Sequence, residues 1–323
     1  MAAPVARRAV VPALRTSCPN QGCLFLRLRA ALAVAPFVFA ACSRPAHQPA
    51  RAHAPVIDVD DFGDTLRAPA VPPARIVSLN PTTTEIVFAI GAGARLAGRS
   101  QWDSWPDSAR RVPSLGAAVR PNVEAVLAAR PDLVLLYASA DDRPAAARLR
   151  QAGIPVAAWR IDRIDDFRRA VRDLGALLGD SARAATVVDS VDRTLARVRA
   201  ATASLPRVSV FMPTWENPVI AIGGGSFLDE LITIAGGRNI YADLAAPSPT
   251  VALEDVVRRD PDVVITSPDG RARILADPLW RGLRAVRAGR VYAYDTTVVG
   301  RPSVVLGAAA VSIARLLHPG ILP

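Results

Sequence analysis

Two glutamates occupy matching positions in a motif that occurs twice in the chain. Glu124 and Glu254 are each followed, after six residues, by a Pro-Asp pair and then by an apolar run. Each copy predicts a short helix that leads into a buried strand. Because the two copies lie 130 residues apart, they predict two similar lobes, each with one carboxylate at a matching place. Such a pair of surface carboxylates would suit a partner with two-fold symmetry.

The residue types on which most metal and nucleophilic sites depend are few. The histidines are His47, His53 and His318, and the cysteines are Cys18, Cys23 and Cys42. The stretch Gly223-Gly224-Gly225-Ser226 matches neither the nucleophile elbow G-x-S-x-G nor the phosphate-binding loop that ends in GK[ST]. A glycine turn followed by a serine helix cap accounts for it. The sequence therefore predicts a protein that is not an enzyme and that holds no metal through its own side chains.

Length and charge set further limits. The 323 residues, 51% hydrophobic and 21% charged, allow two modest domains. All 39 basic residues are arginine, and five of them precede Cys42 in a stretch without an acid. Beyond Cys42, 34 basic and 29 acidic residues are mixed along the chain. No basic stripe of the kind that nucleic-acid binding requires is present, so we predict no nucleic-acid partner.

The N-terminus is typical of an export signal. Arginines precede an apolar stretch at 30–41, which is too short to span a bilayer but suits a signal-peptide core. Residues 38–42, VFAAC, resemble a bacterial lipobox and predict a signal peptide over 1–41 with Cys42 as the lipidated residue. The alternative is an ordinary secretory signal with a chance cysteine. Residues 42–74, rich in Pro and Ala, predict a flexible tether that holds an exported lipoprotein on the periplasmic or cell-surface side.

The positions of the two glutamates require a folded lobe around each. In the N-terminal lobe, 75–180, strands are predicted at 75–79, 133–137 and 156–159. Thr82-x-x-Glu85 has the form of a capping box and predicts a helix over 83–90 that ends at Gly91. The alternation of strand and helix predicts an α/β lobe with a parallel sheet. The C-terminal lobe, 206–323, repeats this pattern.

A helix predicted over 181–205 joins the lobes. Apolar residues at helical spacing, an aspartate and serine at its start and Pro206 after its end define it. At 1.5 Å per residue it would be roughly 35 Å long, enough to cross a small domain. A helix of this length would be a rigid spine that permits little hinge opening.

Taken in order, these segments resemble the substrate-binding proteins of ABC importers that carry iron-siderophores, haem and vitamin B12. The resemblance covers about 75–318. It is carried by RIVSLNP at 75–81 with Thr84-Glu85, GAG at 91–93, Trp105-Pro106, NVE at 122–124, RPDLV at 130–134, AGG at 235–237 with Asn239, and Glu254 with DPD at 260–262. It implies the helical-backbone, class III periplasmic-binding-protein fold, in which the two lobes enclose a ligand cleft.

The resemblance also implies a role for the repeated glutamates. In that family the glutamates at the two lobe tips dock onto arginines of the two permease subunits, and by position these are Glu124 and Glu254. The alternative is that each is an ordinary helix-start glutamate, stabilised by the helix dipole. The implied partners are an ABC permease dimer with its ATPase, for a receptor that is itself a monomer.

Ligand-binding residues are expected in loops at strand ends, where the lobes face each other. Trp102 and Trp105 lie in one such loop and Trp215 in another, and Trp102 aligns with a family aromatic that stacks on ligand. Arg301, and less strongly Arg120, could bind a carboxylate or phosphate of the ligand, against the alternative of solvated loop arginines. The remaining two tryptophans, Trp159 and Trp280, are predicted to pack in the core.

The resemblance leaves the ligand open within one chemical class, the metal chelates. The aromatic loops and the glutamate spacing favour cobalamin or another corrinoid. Ser248-Pro249 stands where cobalamin receptors often carry a tryptophan before the proline, which keeps iron-siderophore and haem as alternatives. A lipoprotein that serves sensing or scaffolding without a transporter is the alternative class of function. Such a receptor needs no resident cofactor.

Overall fold

Two parallel β-sheets with the same strand order form the frame of the molecule. The computed structural model describes residues 55–322, which belong to one compact unit. The strands in chain order are β1 (Val56–Val59), β2 (Thr65–Arg67), β3 (Ile76–Ser78), β4 (Leu96–Arg99), β5 (Leu133–Tyr137), β6 (Val156–Trp159), β7 (Val208–Phe211), β8 (Pro213–Glu216), β9 (Val219–Ala221), β10 (Gly237–Asn239), β11 (Val263–Thr266) and β12 (Val291–Ala293).

Helices cover the sheets and connect them. They are α1 (Pro81–Ala89), α2 (Val123–Ala128), α3 (Arg143–Gln151), α4 (Ile164–Leu178), α5 (Ser181–Thr202), α6 (Phe227–Ile234), α7 (Leu253–Arg259), α8 (Pro268–Ala276), α9 (Arg284–Arg287), α10 (Thr296–Val299) and α11 (Leu306–Leu317). Three 3-10 helices lie at Gly93–Arg95, Asp107–Arg111 and Pro278–Gly282.

The two large sheets repeat one topology. The N-terminal sheet has the order β4-β3-β5-β6 and the C-terminal sheet the order β10-β7-β11-β12, and all of their pairings are parallel. If the antiparallel hairpin β8-β9 is set aside, each sheet places its strands in the chain order second, first, third, fourth. The prediction of an α/β fold with two similar lobes is therefore confirmed.

The repeated Pro-Asp pair has the same structural task in both lobes. Asp132 accepts hydrogen bonds from the backbone N–H groups of Ala74 and Arg75, which precede β3. Asp262 accepts from the N–H and the hydroxyl of Ser209 in β7. Each aspartate thus fixes the start of a central strand against the strand that follows the aspartate itself.

Helix α5 lies between the lobes in sequence and packs against both. Asp180 caps its first turn, with its carboxylate accepting from the Arg183 N–H at 2.9 Å. Its buried apolar residues join α4 and α11 in one core cluster that also includes Ile76 of β3 and Val263 of β11. One continuous core across both lobes and the helix opposes large hinge motions.

The segment before the first lobe is more ordered than the sequence predicts. Residues 56–67 were expected within a flexible tether, but β1 and β2 form a hairpin there. At its turn, the Asp61 N–H donates to the Ala158 carbonyl, and the Asp61 carboxylate accepts from the Arg160 N–H and from Arg169. These bonds hold the hairpin on β6, the edge strand of the N-terminal sheet. Contacts with the lobe therefore position the hairpin, although its sequence lacks the regular spacing of apolar residues that predicts a strand.

Candidate functional site

A cavity of about 430 Å³ opens where the two lobes face each other. Its lining comes from the N-terminal lobe (Asn80, Thr82, Tyr137, Ile161, Asp162) and from the C-terminal lobe (Thr214, Ile222, Ser226, Phe227, Leu228, Pro247, Ser248, Gly300, Pro302). The volume falls within the range of about 300–1,000 Å³ that is usual for small-molecule sites. We call this cavity the cleft.

The N-terminal wall of the cleft is built by the carboxyl ends of parallel strands. Asn80 follows β3, Tyr137 ends β5, and Asp162 follows β6. The Tyr137 hydroxyl donates to Asp162 Oδ1 at 2.8 Å. Burial and this hydrogen bond raise the pKa of Tyr137, so it stays a neutral phenol at physiological pH. The wall therefore presents the Tyr137 side chain and one carboxylate that it orients.

The C-terminal wall is shaped by the glycine turn before α6. A side chain at Gly223 or Gly224 would collide with the carbonyl oxygens of Ala246 or Ala242, because the added Cβ would lie within 2.3 Å of them. The glycines thus let the loop that carries Pro247 and Ser248 lie directly against the turn. Ser226 then caps α6, accepting from the Leu228 N–H at 3.1 Å.

One edge of the cleft is closed by direct bonds between the lobes. The Phe227 N–H donates to the Asp162 carbonyl at 2.6 Å. Beside it, Glu230 pairs with Arg163 at 2.5 Å and accepts from the Ile164 N–H at 3.0 Å. These bonds join the start of α4 to the start of α6.

A second connection between the lobes is a buried ion pair. Arg301, between α10 and α11, donates through Nε to Glu85 Oε1 on α1. The Glu85 side chain is 1% exposed and that of Arg301 20%. Within residues 55–322, Glu85 Oε2 has no hydrogen-bond partner. Burial raises the pKa of Glu85, although the Ser303 hydroxyl and the Arg301 guanidinium oppose the shift.

The role predicted for Glu85 is wrong. The sequence suggested a capping box with Thr82, but the cap of α1 is Asn80, whose side chain accepts from the Thr82 N–H at 2.9 Å. Glu85 instead lies on the buried side of α1 and forms the pair with Arg301. The local pattern was misleading because the partner is 216 residues away.

A buried polar network surrounds Thr84, the neighbour of Glu85 on α1. The Thr84 hydroxyl donates to Asp103 Oδ2 at 2.6 Å and lies 2.8 Å from Ser78 Oγ, and the Ser100 hydroxyl donates to Asp103 Oδ1. All four side chains are buried. Burial raises the pKa of Asp103, against the lowering effect of its bonds to Ser100 and Thr84. The network fixes the loop between β4 and Trp105.

The tryptophans predicted to face ligand do not line the cavity. Trp102 follows β4 in a loop, as expected, but Trp215 lies within β8 and not in the predicted loop. Trp102 is 63% exposed and Trp215 51% exposed, the latter with the Arg273 guanidinium 5.3 Å from its ring centre. Trp105 is half-buried beside the cis peptide bond to Pro106. Thr214, next to Trp215, does line the cavity. The two exposed rings thus lie beyond the cavity itself.

Trp159 and Trp280 are core residues, as predicted. Both are at most 2% exposed. The Trp159 ring N–H donates to Asp173 at 2.9 Å, while Trp280 stacks on Phe211 with ring centres 6.0 Å apart.

The two arginines predicted to bind ligand are both engaged. Arg301 pairs with Glu85, as described. Arg120 has a left-handed backbone with φ of 52°, and its exposed guanidinium pairs with Asp141 at 2.9 Å. Neither side chain lines the cavity, although Gly300 and Pro302 on either side of Arg301 do.

The repeated glutamates are exposed on the first turns of two short helices. Glu124 lies on α2 and pairs with Arg148 at 2.7 Å. A hydrogen bond from its own backbone N–H and the Arg148 side chain lower the pKa of Glu124. Glu254 lies on the first turn of α7 and has no ion pair with another residue in 55–322. Both carboxylates are therefore accessible to a partner.

Two absences apply to the part of the chain that the structure describes. No group of three or more His, Cys, Asp or Glu residues in 55–322 is placed to hold a metal ion. The helices in the same range are all too short or too polar to cross a bilayer. Cys42, the predicted lipidation site, and the predicted signal peptide lie outside the described residues.

Comparisons with known proteins identify relatives of this chain. The "Periplasmic binding protein" family matches residues 76–298. A vitamin B12-binding protein of Vibrio parahaemolyticus is 26% identical over 246 residues, which cover 75% of this chain and 88% of that protein.

Solved structures agree. The periplasmic vitamin B12-binding protein BtuF of Vibrio cholerae superposes with a TM-score of 0.67 at 26% identity, covering 76% of this chain and 97% of that one. The periplasmic haem-binding protein RhuT of Roseiflexus superposes with a TM-score of 0.69 at 24% identity, covering 77% and 99%, and supports the fold.

Proposed function

The chain belongs to the periplasmic binding protein family, and on that basis we propose that it captures a metal chelate in its cleft and delivers it to an ABC permease. Cobalamin or a related corrinoid is the leading ligand. The observation that carries this proposal is the cavity of about 430 Å³, to which both lobes contribute at the carboxyl ends of their parallel strands.

The similarity to vitamin B12-binding proteins supports a corrinoid over other chelates. A corrinoid is larger than the cavity, so part of it would extend past the rim. We propose that the exposed rings of Trp102, after β4, and of Trp215, on β8 of the other lobe, stack on that part, with Trp105 supporting the Trp102 loop. Arg120, and the guanidinium nitrogens of Arg301 that do not bind Glu85, would donate hydrogen bonds to the ligand.

The docking and anchoring proposals concern other surfaces. Glu124 and Glu254 would each pair with an arginine of one permease subunit, and their accessibility supports this. Cys42 would carry a lipid that holds the receptor at the membrane, with the chain functioning as a monomer.

A direct binding measurement tests the proposed ligand. The purified chain is titrated with cyanocobalamin, haemin and a ferric hydroxamate siderophore, with the absorption spectrum and the melting temperature as readouts. A ligand at 100 times its Kd stabilises the folded state by about 2.7 kcal/mol, which raises the melting temperature by several degrees. We expect this shift with cyanocobalamin.

The other outcomes separate the alternatives. A shift with haemin or the siderophore alone would identify the chain as a receptor for that chelate. The absence of a shift with all three would contradict the chelate proposal and favour a sensing or scaffolding lipoprotein.

A further inference from the structure

We propose that Glu85 determines which chelates the cleft accepts, because it cancels the charge of Arg301 and so excludes ligands that depend on a free carboxylate. Glu85 does not line the cavity and would act through Arg301, as a positioning residue. The inference rests on the proposed function, whose ligand class it narrows.

The geometry of the pair is the first argument. Glu85 comes from α1 of one lobe and Arg301 from the loop before α11 of the other. The arginine lies between Gly300 and Pro302, two residues that line the cavity. With Nε bound to a carboxylate that is 1% exposed, the positive charge of its guanidinium is compensated within the protein. A charge-assisted contact of this kind is stronger than a neutral hydrogen bond.

The charge of the cavity lining is the second argument. Asp162 is the one charged residue among the lining residues that the structure describes. Arg163, at the edge of the cavity, is paired with Glu230, and Arg160 near Tyr137 does not line the cavity. Among the lining residues, a ligand carboxylate that entered would meet an acid and no cation, and a desolvated anion without a partner is strongly disfavoured.

The backbone N–H groups at the start of α6 are also occupied. The start of α6 forms part of the wall, and the first turn of a helix commonly binds anions. Here the Phe227 N–H donates to the Asp162 carbonyl, and the Leu228 N–H donates to Ser226 Oγ. This helix start therefore offers no free pair of N–H groups to a carboxylate.

The experiment compares two porphyrins that differ only at their two propionate groups. Haemin has two carboxylates, and its dimethyl ester has none. Their Kd values are measured by quenching of tryptophan fluorescence for the purified wild-type chain and for Glu85→Gln, with cyanocobalamin as a third ligand. In the wild type we expect no preference for the diacid. In Glu85→Gln the freed guanidinium should favour the diacid over the ester by at least about tenfold.

Two further variants control for charge and folding. Asp192→Asn removes the acid from an ion pair with Arg168, between α4 and α5, and should produce no preference for the diacid. Arg301→Gln in the Glu85→Gln background should abolish the gain. If Glu85→Gln alone does not fold, the single variant Arg301→Gln provides the test. Its affinity for each porphyrin can change, but the ratio of the two affinities should stay within twofold of the wild-type ratio.

The outcomes distinguish this inference from the function on which it rests. A wild type that prefers the diacid tenfold, an unchanged ratio in folded Glu85→Gln, or a tenfold loss of diacid preference in Arg301→Gln would each overturn the inference while leaving chelate binding intact. A wild type that binds none of the three ligands would overturn both.

Discussion

Individual buried carboxylates decide the electrostatics of the N-terminal lobe. Asp60, Glu85, Asp103 and Asp173 are all buried, and burial raises the pKa of each. A carboxyl whose pKa is raised on folding stabilises the protein fully at pH values below its pKa in the unfolded chain. This stabilisation is lost as the pH rises through its pKa in the folded state. The titration of these four groups should therefore stabilise the folded chain in mild acid. A paired surface carboxylate, whose pKa is lowered, has the opposite effect.

Asp103 allows this to be measured. In Asp103→Asn the titration is removed, so the stability advantage of the wild type over the variant should be largest near pH 4 and should shrink as the pH rises toward 7. Urea unfolding at several pH values measures the difference. The carboxamide cannot accept all three bonds from Ser100 and Thr84, so some loss is expected at every pH. An advantage that grows with pH would contradict the assigned direction.

Glu85 shows what could and could not be read from single residues. Its spacing from Thr82 suggested a cap, yet the apolar run Ile86-Val87-Phe88-Ala89-Ile90 that follows indicates a buried helix. A charged residue in such a helix needs a partner, and that signal could have marked Glu85 as paired. The partner itself could not be predicted, because Arg301 is brought near by the packing of two lobes and not by any local pattern.

At the scale of elements, the repeated Glu-x6-Pro-Asp motif determines local structure through its aspartates and through the residues before its prolines. Its aspartates hold the starts of β3 and β7, and the residues before its prolines, Arg130 and Asp260, both have left-handed backbones with φ of 48° and 41°. Non-glycine residues seldom adopt this conformation. The motif therefore specifies a complete turn between a helix and a strand, which is why the sequence predicted the lobes so well.

The two aspartates should contribute similarly to stability. Asp262→Ala removes the acceptor for the N–H and hydroxyl of Ser209 and should cost about 1–3 kcal/mol of unfolding free energy, with Asp132→Ala similar in size. The cost of Asp262→Ala should fall in acid. Burial acts to raise the pKa of Asp262, but the bonds from Ser209 lower it overall. The stabilisation that the Asp262 carboxylate provides is therefore lost as the pH falls through its pKa in the folded state.

Urea denaturation of both variants provides the measurement. Asp189→Ala, an exposed aspartate on α5, is the matched control and should change stability by less than about 0.5 kcal/mol. If Asp262→Ala behaved like the control, the aspartate would not hold β7.

The N-terminal hairpin makes a prediction of its own. Asp61→Ala removes the acceptor for the Arg160 N–H and for Arg169, so the hairpin, although still held through the Asp61 N–H and Asp60, should open from β6 more often. Hydrogen exchange at Arg160 and within 56–67 should accelerate, while β7 and β11 in the other lobe keep their protection. Equal acceleration in both lobes would show that the hairpin is part of the global core instead.

At the scale of the whole molecule, the two lobes share one core and are joined by two sets of bonds. These features oppose opening of the cleft. The core cluster that includes α5 was anticipated from the helical spacing at 181–205. The bonds of Phe227 with Asp162, of Glu230 with Arg163 and of Glu85 with Arg301 were not, because each depends on how two independently predictable lobes meet. The cleft geometry could thus not be derived from sequence, although its location at strand ends could.

The docking role proposed for the accessible glutamates leads to a prediction for the whole molecule. Glu124→Arg combined with Glu254→Arg should abolish transport in reconstituted vesicles while the Kd for the chelate stays within about twofold, because both residues lie outside the cleft. Reversing a charge against an arginine at a desolvated interface costs several kcal/mol.

Asp189→Arg serves as the control, since it reverses one exposed acid on α5, and it should transport normally. Transport that survives the double reversal would show that these carboxylates do not dock the receptor.

The hairpin on β6 also determines how the molecule responds to a pulling force. Any load applied to the chain ahead of Pro55 first reaches the open end of the β1-β2 ladder, where Val56 pairs with Arg67, and can peel that ladder one pair at a time. It next meets the turn, where Asp60 and Asp61 are bound to Arg150 and Arg169. Tension at the N-terminus would therefore separate the strands of the hairpin before it displaced the strand ends that form the cleft.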